Sequence, residues 1–236
     1  MMRGFHEALA AADCPLIAEI KPSSPKVGPL LARRTVRDIA QDYLHAGAPC
    51  LSVTTGAWHR GTLGMVTEMA KTGLPVLRKD FITSARHLEQ SRDAGAAAVL
   101  LTCALLRRAD VLRLAEAALA LGLTPFVEAA CAPELEGLRL PSGAILAINN
   151  RDIRSRETDD GGVEQSESLY TLARAQHRGL LVSASGLTAP SAVARAMSAG
   201  FDGVLVGTAL LAGPAYAYET TQAYLKATRP RTRQDA

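Results

Sequence analysis

Along the chain, short apolar runs alternate with segments whose apolar positions recur at helical spacing and whose charges fall on one face. The runs predict strands at Leu16 to Ile20, Cys50 to Thr54, Pro75 to Leu77, Ala97 to Leu101, Thr124 to Val127, Ala144 to Ile148, Leu180 to Ser183 and Gly203 to Val206. Each run is nearly continuous rather than alternating, as parallel strands covered on both faces should be. The periodic segments predict helices from Val36 to His45, Ala85 to Asp93, Ala109 to Leu121, Ser166 to His177, Pro190 to Ser198 and Ala215 to Lys226. Gly47, Gly73, Gly95, Gly122, Gly179 and Gly200 each stand just before a strand, where a helix is expected to end in the left-handed conformation. The repetition reads as one βα unit used again and again. The expected architecture is therefore α/β, a single (β/α)₈ TIM barrel over residues 1–228, with a doubly wound open sheet as the runner-up. Asp159-Asp160-Gly161-Gly162 reads as a flexible loop before a helix, and residues 229–236 as a disordered basic tail.

Composition narrows the class. With 48% hydrophobic and 21% charged residues, a disordered or fibrous chain is excluded. The formal charge of +3 is too small and too scattered to mark a nucleic-acid or membrane partner. Cys14, Cys50, Cys103 and Cys131 lie far apart, so neither a zinc motif nor a disulfide framework is read. The first residues carry Arg3, His6 and Glu7 and lack a signal-peptide core, and the longest uncharged apolar run, Ala94 to Leu106, is too short to span a bilayer. A cytoplasmic protein, monomeric or weakly homo-oligomeric, is the expectation.

In such a barrel, chemistry sits where strands end. Glu19 and Lys21 leave the first strand two residues apart and so point the same way, which in a closed barrel is inward. A structural ion pair and a catalytic pair are equally consistent with that motif alone. Only five of the 26 basic residues are lysines, and Lys79 is another at a strand end, in Leu77-Arg78-Lys79-Asp80-Phe81. The fifth strand exits at Val127-Glu128 and the sixth at Asn149-Asn150-Arg151-Asp152. Four polar exits on one rim favour a site over four solvated turns. The last two strands instead end in Ser183-Ala184-Ser185-Gly186 and Gly207-Thr208-Ala209, small residues whose backbone N–H groups can approach an anion, at the strands where these barrels usually hold phosphate. Ser24 is a further hydroxyl candidate.

These residues resemble the indole-3-glycerol phosphate synthase family, across most of the chain. The resemblance rests on Ala18-Glu19-Ile20-Lys21 with Ser24-Pro25, on Pro75 to Phe81, on Val127-Glu128, on Ile148 to Asp152 and on the two small-residue loops. It implies a carboxy-lyase without metal or organic cofactor, converting 1-(2-carboxyphenylamino)-1-deoxyribulose 5-phosphate to indole-3-glycerol phosphate, CO₂ and water. By that resemblance Lys79, Lys21, Glu19 and Glu128 are catalytic, with Lys79 the acid of ring closure. Asn149, Arg151 and Phe81 bind substrate, while Ser24, Ser185, Gly186, Gly207 and Thr208 hold its phosphate.

The pattern departs from the family in three places. The seventh strand of family members usually ends V-x-E-S-G, whereas here Ala184 takes the glutamate's position. Family members also carry an N-terminal helical extension that covers the barrel mouth, and this sequence is expected to lack most of it, opening near Phe5-His6-Glu7. After the second strand, Ala57-Trp58-His59-Arg60-Gly61-Thr62 replaces the family's aromatic-Gly-Gly-Ser loop. Trp58 is read as a loop anchor or as a cover for the substrate's ring, and His59 as solvated. His6, His45, His87 and His177 are read as surface groups on helices. Two other functions stay open at this point: a paralogue acting on a related arylamino sugar phosphate, and a weakly catalytic phosphosugar-binding barrel.

Overall fold

In the computed structural model, which describes residues 4–151, 161–212 and 217–229, eight parallel strands close into a barrel. They are β1 (Leu16–Ile20), β2 (Cys50–Thr54), β3 (Val76–Lys79), β4 (Ala98–Thr102), β5 (Thr124–Ala129), β6 (Ile145–Asn149), β7 (Leu181–Ala184) and β8 (Gly203–Val206). Each pairs with the next in sequence, and β8 closes onto β1 with Leu16 opposite Val204. A two-residue ribbon, Ser23–Ser24 against Gly28–Pro29, follows β1.

Side chains that alternate along a strand are sorted onto two sides by closure. Ile17, Leu77, Leu100, Phe126, Ala147 and Leu205 fill the barrel, while their neighbours Ala18, Val76, Val99, Val127, Leu146 and Val204 pack against the helices. The helix α1 (Phe5–Ala10) plugs the N-terminal end of the barrel with Phe5 and Leu9, both buried in the inner cluster. Burying side chains of this size contributes about 2 kcal/mol each.

The outer layer comprises α2 (Val36–Ala46), α3 (Leu63–Ala70), α4 (Ala85–Asp93), α5 (Arg108–Ala120), α6 (Ala132–Leu135), α7 (Val163–Gln176), α8 (Pro190–Ala199), α9 (Thr208–Leu211) and α10 (Ala217–Ala227). Local signals fix their ends. At α2 the Thr35 hydroxyl accepts from the Asp38 N–H at 3.1 Å while the Asp38 carboxylate accepts from the Thr35 N–H at 2.9 Å, and Gly47 ends the helix at φ +96°.

The expected barrel is the one observed, with local corrections. Strands β3 to β7 run one or two residues past the ends of their apolar runs, because backbone pairing continues through inward polar residues such as Lys79 and Asn149. The helices α1, α3, α6 and α9 are additions: α6 and α9 span four residues each, and α3 is apolar nearly all round with Gly64 in its first turn, which blurs the helical period. Gly179 does not take the left-handed conformation of the other five glycines; α7 ends instead on His177 in extended backbone. Arg229, the first residue of the expected tail, donates from Nε to Cys14 Sγ at 3.3 Å. The rest of that tail, Asp159-Asp160, Asp152 and the start of the last predicted helix lie outside the described residues.

His177 is also not a surface group. Its side chain is buried beneath α7, with Nε2 3.2 Å from the Ala144 carbonyl, and burial lowers its pKa below the ordinary 6.5. The unfolded chain therefore takes up this proton first as pH falls, so the stability from a neutral His177 is present above pH 6.5 and is lost progressively below it. A His177→Gln variant is expected to lose less thermal stability than wild type between pH 7 and 5, by about 2 °C in melting temperature. Melting curves across that range check it, and parallel slopes would sink it.

Candidate active site

The alternation that fills the barrel lower down brings polar side chains inward at its C-terminal rim. Glu19 is buried at the end of β1, and its carboxylate lies between two ammonium groups: Lys21 Nζ is 4.0 Å from Oε1 and Lys79 Nζ 3.9 Å from Oε2. Ser52, inward on β2, donates its hydroxyl to Oε2 at 3.5 Å. Tyr43, reaching in from α2, donates to the Glu19 carbonyl at 3.3 Å, and burial followed by the neighbouring carboxylate pushes its phenol pKa well up. A carboxylate buried to this degree needs such partners, since burying it alone would be costly.

Glu128 and Asn149 leave the adjacent strands β5 and β6. Asn149 Nδ2 donates to Glu128 Oε1 at 2.9 Å, and Asn149 Oδ1 accepts from the Arg151 N–H at 3.0 Å. This sets the direction in which the chain, and with it Arg151, leaves β6. Asn150, the next residue, points the other way. It donates to Ser183 Oγ at 3.0 Å and to the Ser185 carbonyl at 2.9 Å, and it accepts from the Ser166 N–H at 2.9 Å. Asn150 thus holds Ser185 in the left-handed region at φ +64°, a conformation that costs a non-glycine residue about 1 kcal/mol or more.

Ser185, Gly186, Gly207 and Thr208 form one side of an open concavity, with Glu19, Lys21 and Arg151 facing it. Gly207 is required there for space, because a Cβ at that position would lie 2.4 Å from Glu19 Oε1. Thr208 opens α9, and the first turn of a helix leaves N–H groups directed outward.

Two expected binding residues lie elsewhere on the rim. Ser24 is buried in the ribbon after β1 and does not line this concavity. Phe81 stands across the mouth beyond β3, stacked on Trp58 with ring centroids 4.5 Å apart and planes at 29°. His59 is not solvated. It is buried, with Nδ1 2.9 Å from the Ser23 carbonyl, so it ties the β2 loop to the ribbon. Arg78 faces outward and fixes the exit of β3: its Nη2 lies 3.0 Å from Asp80 Oδ2, its Nη1 donates to Ser91 Oγ at 3.1 Å, and Asp80 Oδ1 accepts from the Phe81 N–H at 2.8 Å.

Ser52, Thr54 and Thr102 escaped the motif reading, and Asn150, part of the sixth strand's polar exit, carried no role of its own. Ser52, Thr54 and Thr102 are legible only as inward positions, two residues apart or at the last turn of the pleat, in strands whose closure is already known. Ala184 is fully buried in the inner cluster, beside Asn149 in register, so the position that usually carries a glutamate does face the site. Among the described residues no group of three or more His, Cys, Asp or Glu is placed to hold a metal ion, and no helix is long and apolar enough to cross a membrane.

Fold and rim together define a (β/α)₈ barrel whose polar site lies at the carboxyl ends of its strands. The chain belongs to the indole-3-glycerol phosphate synthase family, whose sequence model matches residues 1–222. It is 36% identical over 217 residues to indole-3-glycerol phosphate synthase of Thermococcus kodakarensis, covering 91% of this chain and 94% of that one. It is 37% identical over 227 residues to the enzyme of the same name from Bacteroides thetaiotaomicron, covering 95% and 85%. The barrel also resembles 3-hexulose-6-phosphate synthase from Salmonella typhimurium, with a TM-score of 0.69 at 14% identity over 90% of this chain and 97% of the other. Tryptophan synthase from M. tuberculosis matches with a TM-score of 0.68 at 13% identity over 91% and 92%. At such identities the likeness is one of fold.

Proposed function

We propose that this protein is an indole-3-glycerol phosphate synthase, closing the indole ring of 1-(2-carboxyphenylamino)-1-deoxyribulose 5-phosphate with loss of CO₂ and water. The observation that carries this reading is the Glu19 carboxylate held within 4.0 Å of both Lys21 and Lys79, facing a cleft whose other wall is made of small residues. The phosphate lies against Ser185, Gly186, Gly207 and Thr208, where backbone N–H groups reach it without obstruction by side chains. Lys79 donates a proton to the ketone oxygen as the ring carbon bearing the carboxylate attacks the ketone carbon. Release of CO₂ from that carbon returns its electron pair to the ring. Lys21 then protonates the departing hydroxyl while Glu19 takes the proton of the ring amine, and transfer of a proton from the adjacent methylene carbon to that nitrogen completes the indole. Two protons are delivered and one is withdrawn, and the difference balances the negative charge lost with the carboxylate. Glu128 and Asn149 orient substrate hydroxyls through their shared hydrogen bond, with Arg151 beside them. Residues 1–228 act as one barrel unit in this reading.

The test is an assay of purified protein with that substrate. Indole product well above a Lys79→Ala control is expected, and none above it would sink the reading. Ala184 favours a second reading, a paralogue acting on a related arylamino sugar phosphate, because it leaves the site one carboxylate short. A large gain in rate on Ala184→Glu would speak for the first reading, and no gain for the second.

A further inference from the structure

The two ends of the mouth differ in chemistry. In a ring of eight strands, the loops after β7 and β8 lie opposite β3 and β4, and β2 flanks β3. A substrate with its phosphate on the former therefore presents its other end to the latter. There the inward residues are Thr54, Lys79 and Thr102, with the stacked rings of Trp58 and Phe81 on the loops above.

Thr54 closes β2 on the face that already carries Ser52, and it pairs in register with Lys79. It is 1% exposed, and its Oγ1 is buried without a hydrogen-bond partner among the described residues. A buried hydroxyl left without a partner is destabilising, so its place there asks for a ligand group. The hydroxyl cannot easily be carried away. Gly61 packs directly on the Thr54 backbone, where a Cβ would stand 2.1 Å from the Thr54 carbonyl oxygen, and so the loop locks the end of the strand. Thr102, 3% exposed at the end of β4, accepts from the Ala104 N–H at 3.4 Å and keeps its own O–H to donate. A wall meant for an unsubstituted aromatic ring would be aliphatic here. Valine has the shape of threonine without the hydroxyl, yet threonine stands at both places. Ala184, across the mouth, adds no bulk that would press a larger ring away.

We propose that the aromatic end of the substrate carries a hydrogen-bonding ring substituent, such as a hydroxyl, which is bound by Thr54 with Thr102 as its second contact. This rests on the reading of the site as one for an arylamino sugar phosphate and specifies the arylamine. Thr54 is then the residue that sets ring selectivity, since a site built to bond a substrate hydroxyl discriminates against the analogue lacking it.

The experiment compares the unsubstituted carboxyphenylamino substrate with its ring-hydroxylated positional isomers on wild type, Thr54→Val and Thr102→Val, with melting temperatures to verify that the variants fold. Wild type is expected to show kcat/KM at least about tenfold higher for one hydroxylated isomer. Thr54→Val is expected to abolish that preference, bringing the kcat/KM ratio of that isomer to the unsubstituted substrate close to one. The proposal is overturned if wild type handles the unsubstituted substrate as well as every isomer, or if Thr54→Val lowers all substrates alike. If no arylamino sugar phosphate is turned over, the proposed reaction has failed. The wall is then tested by Kd values for the same compounds with the ketone reduced, where a tenfold preference lost in Thr54→Val supports it and equal values overturn it.

Discussion

Replacing Lys79 with Ala is expected to lower kcat about a thousandfold, with substrate binding changed much less. A positioned general acid contributes about 10²- to 10⁴-fold, and Lys79 is the ammonium group placed on the side of Glu19 away from Lys21. The phosphate loops and Lys21 remain to bind the substrate, so the loss should fall on kcat rather than KM. Glu19 keeps Lys21 and the Ser52 hydroxyl as partners, which protects the fold from an isolated buried carboxylate. Lys79→Arg separates charge from proton transfer. A guanidinium preserves the positive charge but does not release its proton in water, so this variant should remain at least about a hundredfold slow. Near-normal turnover by Lys79→Arg would assign the residue an electrostatic part only, and less than a tenfold loss in Lys79→Ala would remove it from the chemistry. Steady-state kinetics of both variants, with product detected as the indole chromophore, decide between these outcomes.

The second large effect is expected from Gly207→Ala. Gly207 sits at φ −122°, outside the left-handed region, and the added methyl meets Glu19 directly. That methyl would lie 2.4 Å from Glu19 Oε1 and 3.3 Å from Glu19 Cβ, and the carboxylate would have to leave its place between the two lysines. The same methyl enters the cleft at the phosphate loop. Because a displacement of about 1 Å at a catalytic group costs on the order of a hundredfold, kcat/KM should fall by about that factor, with kcat and KM both worse. Weaker inhibition by inorganic phosphate should accompany it. A change confined to KM would mean that Glu19 moves aside harmlessly and that loop and carboxylate work independently.

Gly207 also shows where reading the sequence stops. As a residue after an apolar run it is a turn signal; its contact with Glu19, nearly two hundred positions earlier, exists only because β8 pairs with β1. Ser52 is similar. Nothing in Cys50-Leu51-Ser52-Val53-Thr54 marks a partner for a carboxylate, and the hydroxyl reaches Glu19 because Glu19 and Ser52 are opposite in register. The histidines show the reverse error. His59 and His177 lie in segments that read as solvated, and both are buried against backbone carbonyls because loops and helix ends fold back over the barrel. By contrast Glu19, Lys21, Lys79, Glu128 and Asn149 were legible as polar residues that end apolar runs.

What the sequence determined by itself was the repeating βα unit, through continuous apolar runs and periodic segments, and the identity of the polar groups at the strand ends. Those features are local: each depends on residues a few positions apart, and the chain displays them whether or not it is folded. Only the tertiary structure decided which of these groups meet. Closure brought Glu19 between two lysines from different strands, set Gly207 against it, turned Ala184 inward, and left the Thr54 hydroxyl buried without a hydrogen-bond partner among the described residues. The physical reason is that a barrel's register and pleat convert an alternation of period two into a ring of inward side chains. Contacts around that ring join residues that the sequence keeps far apart.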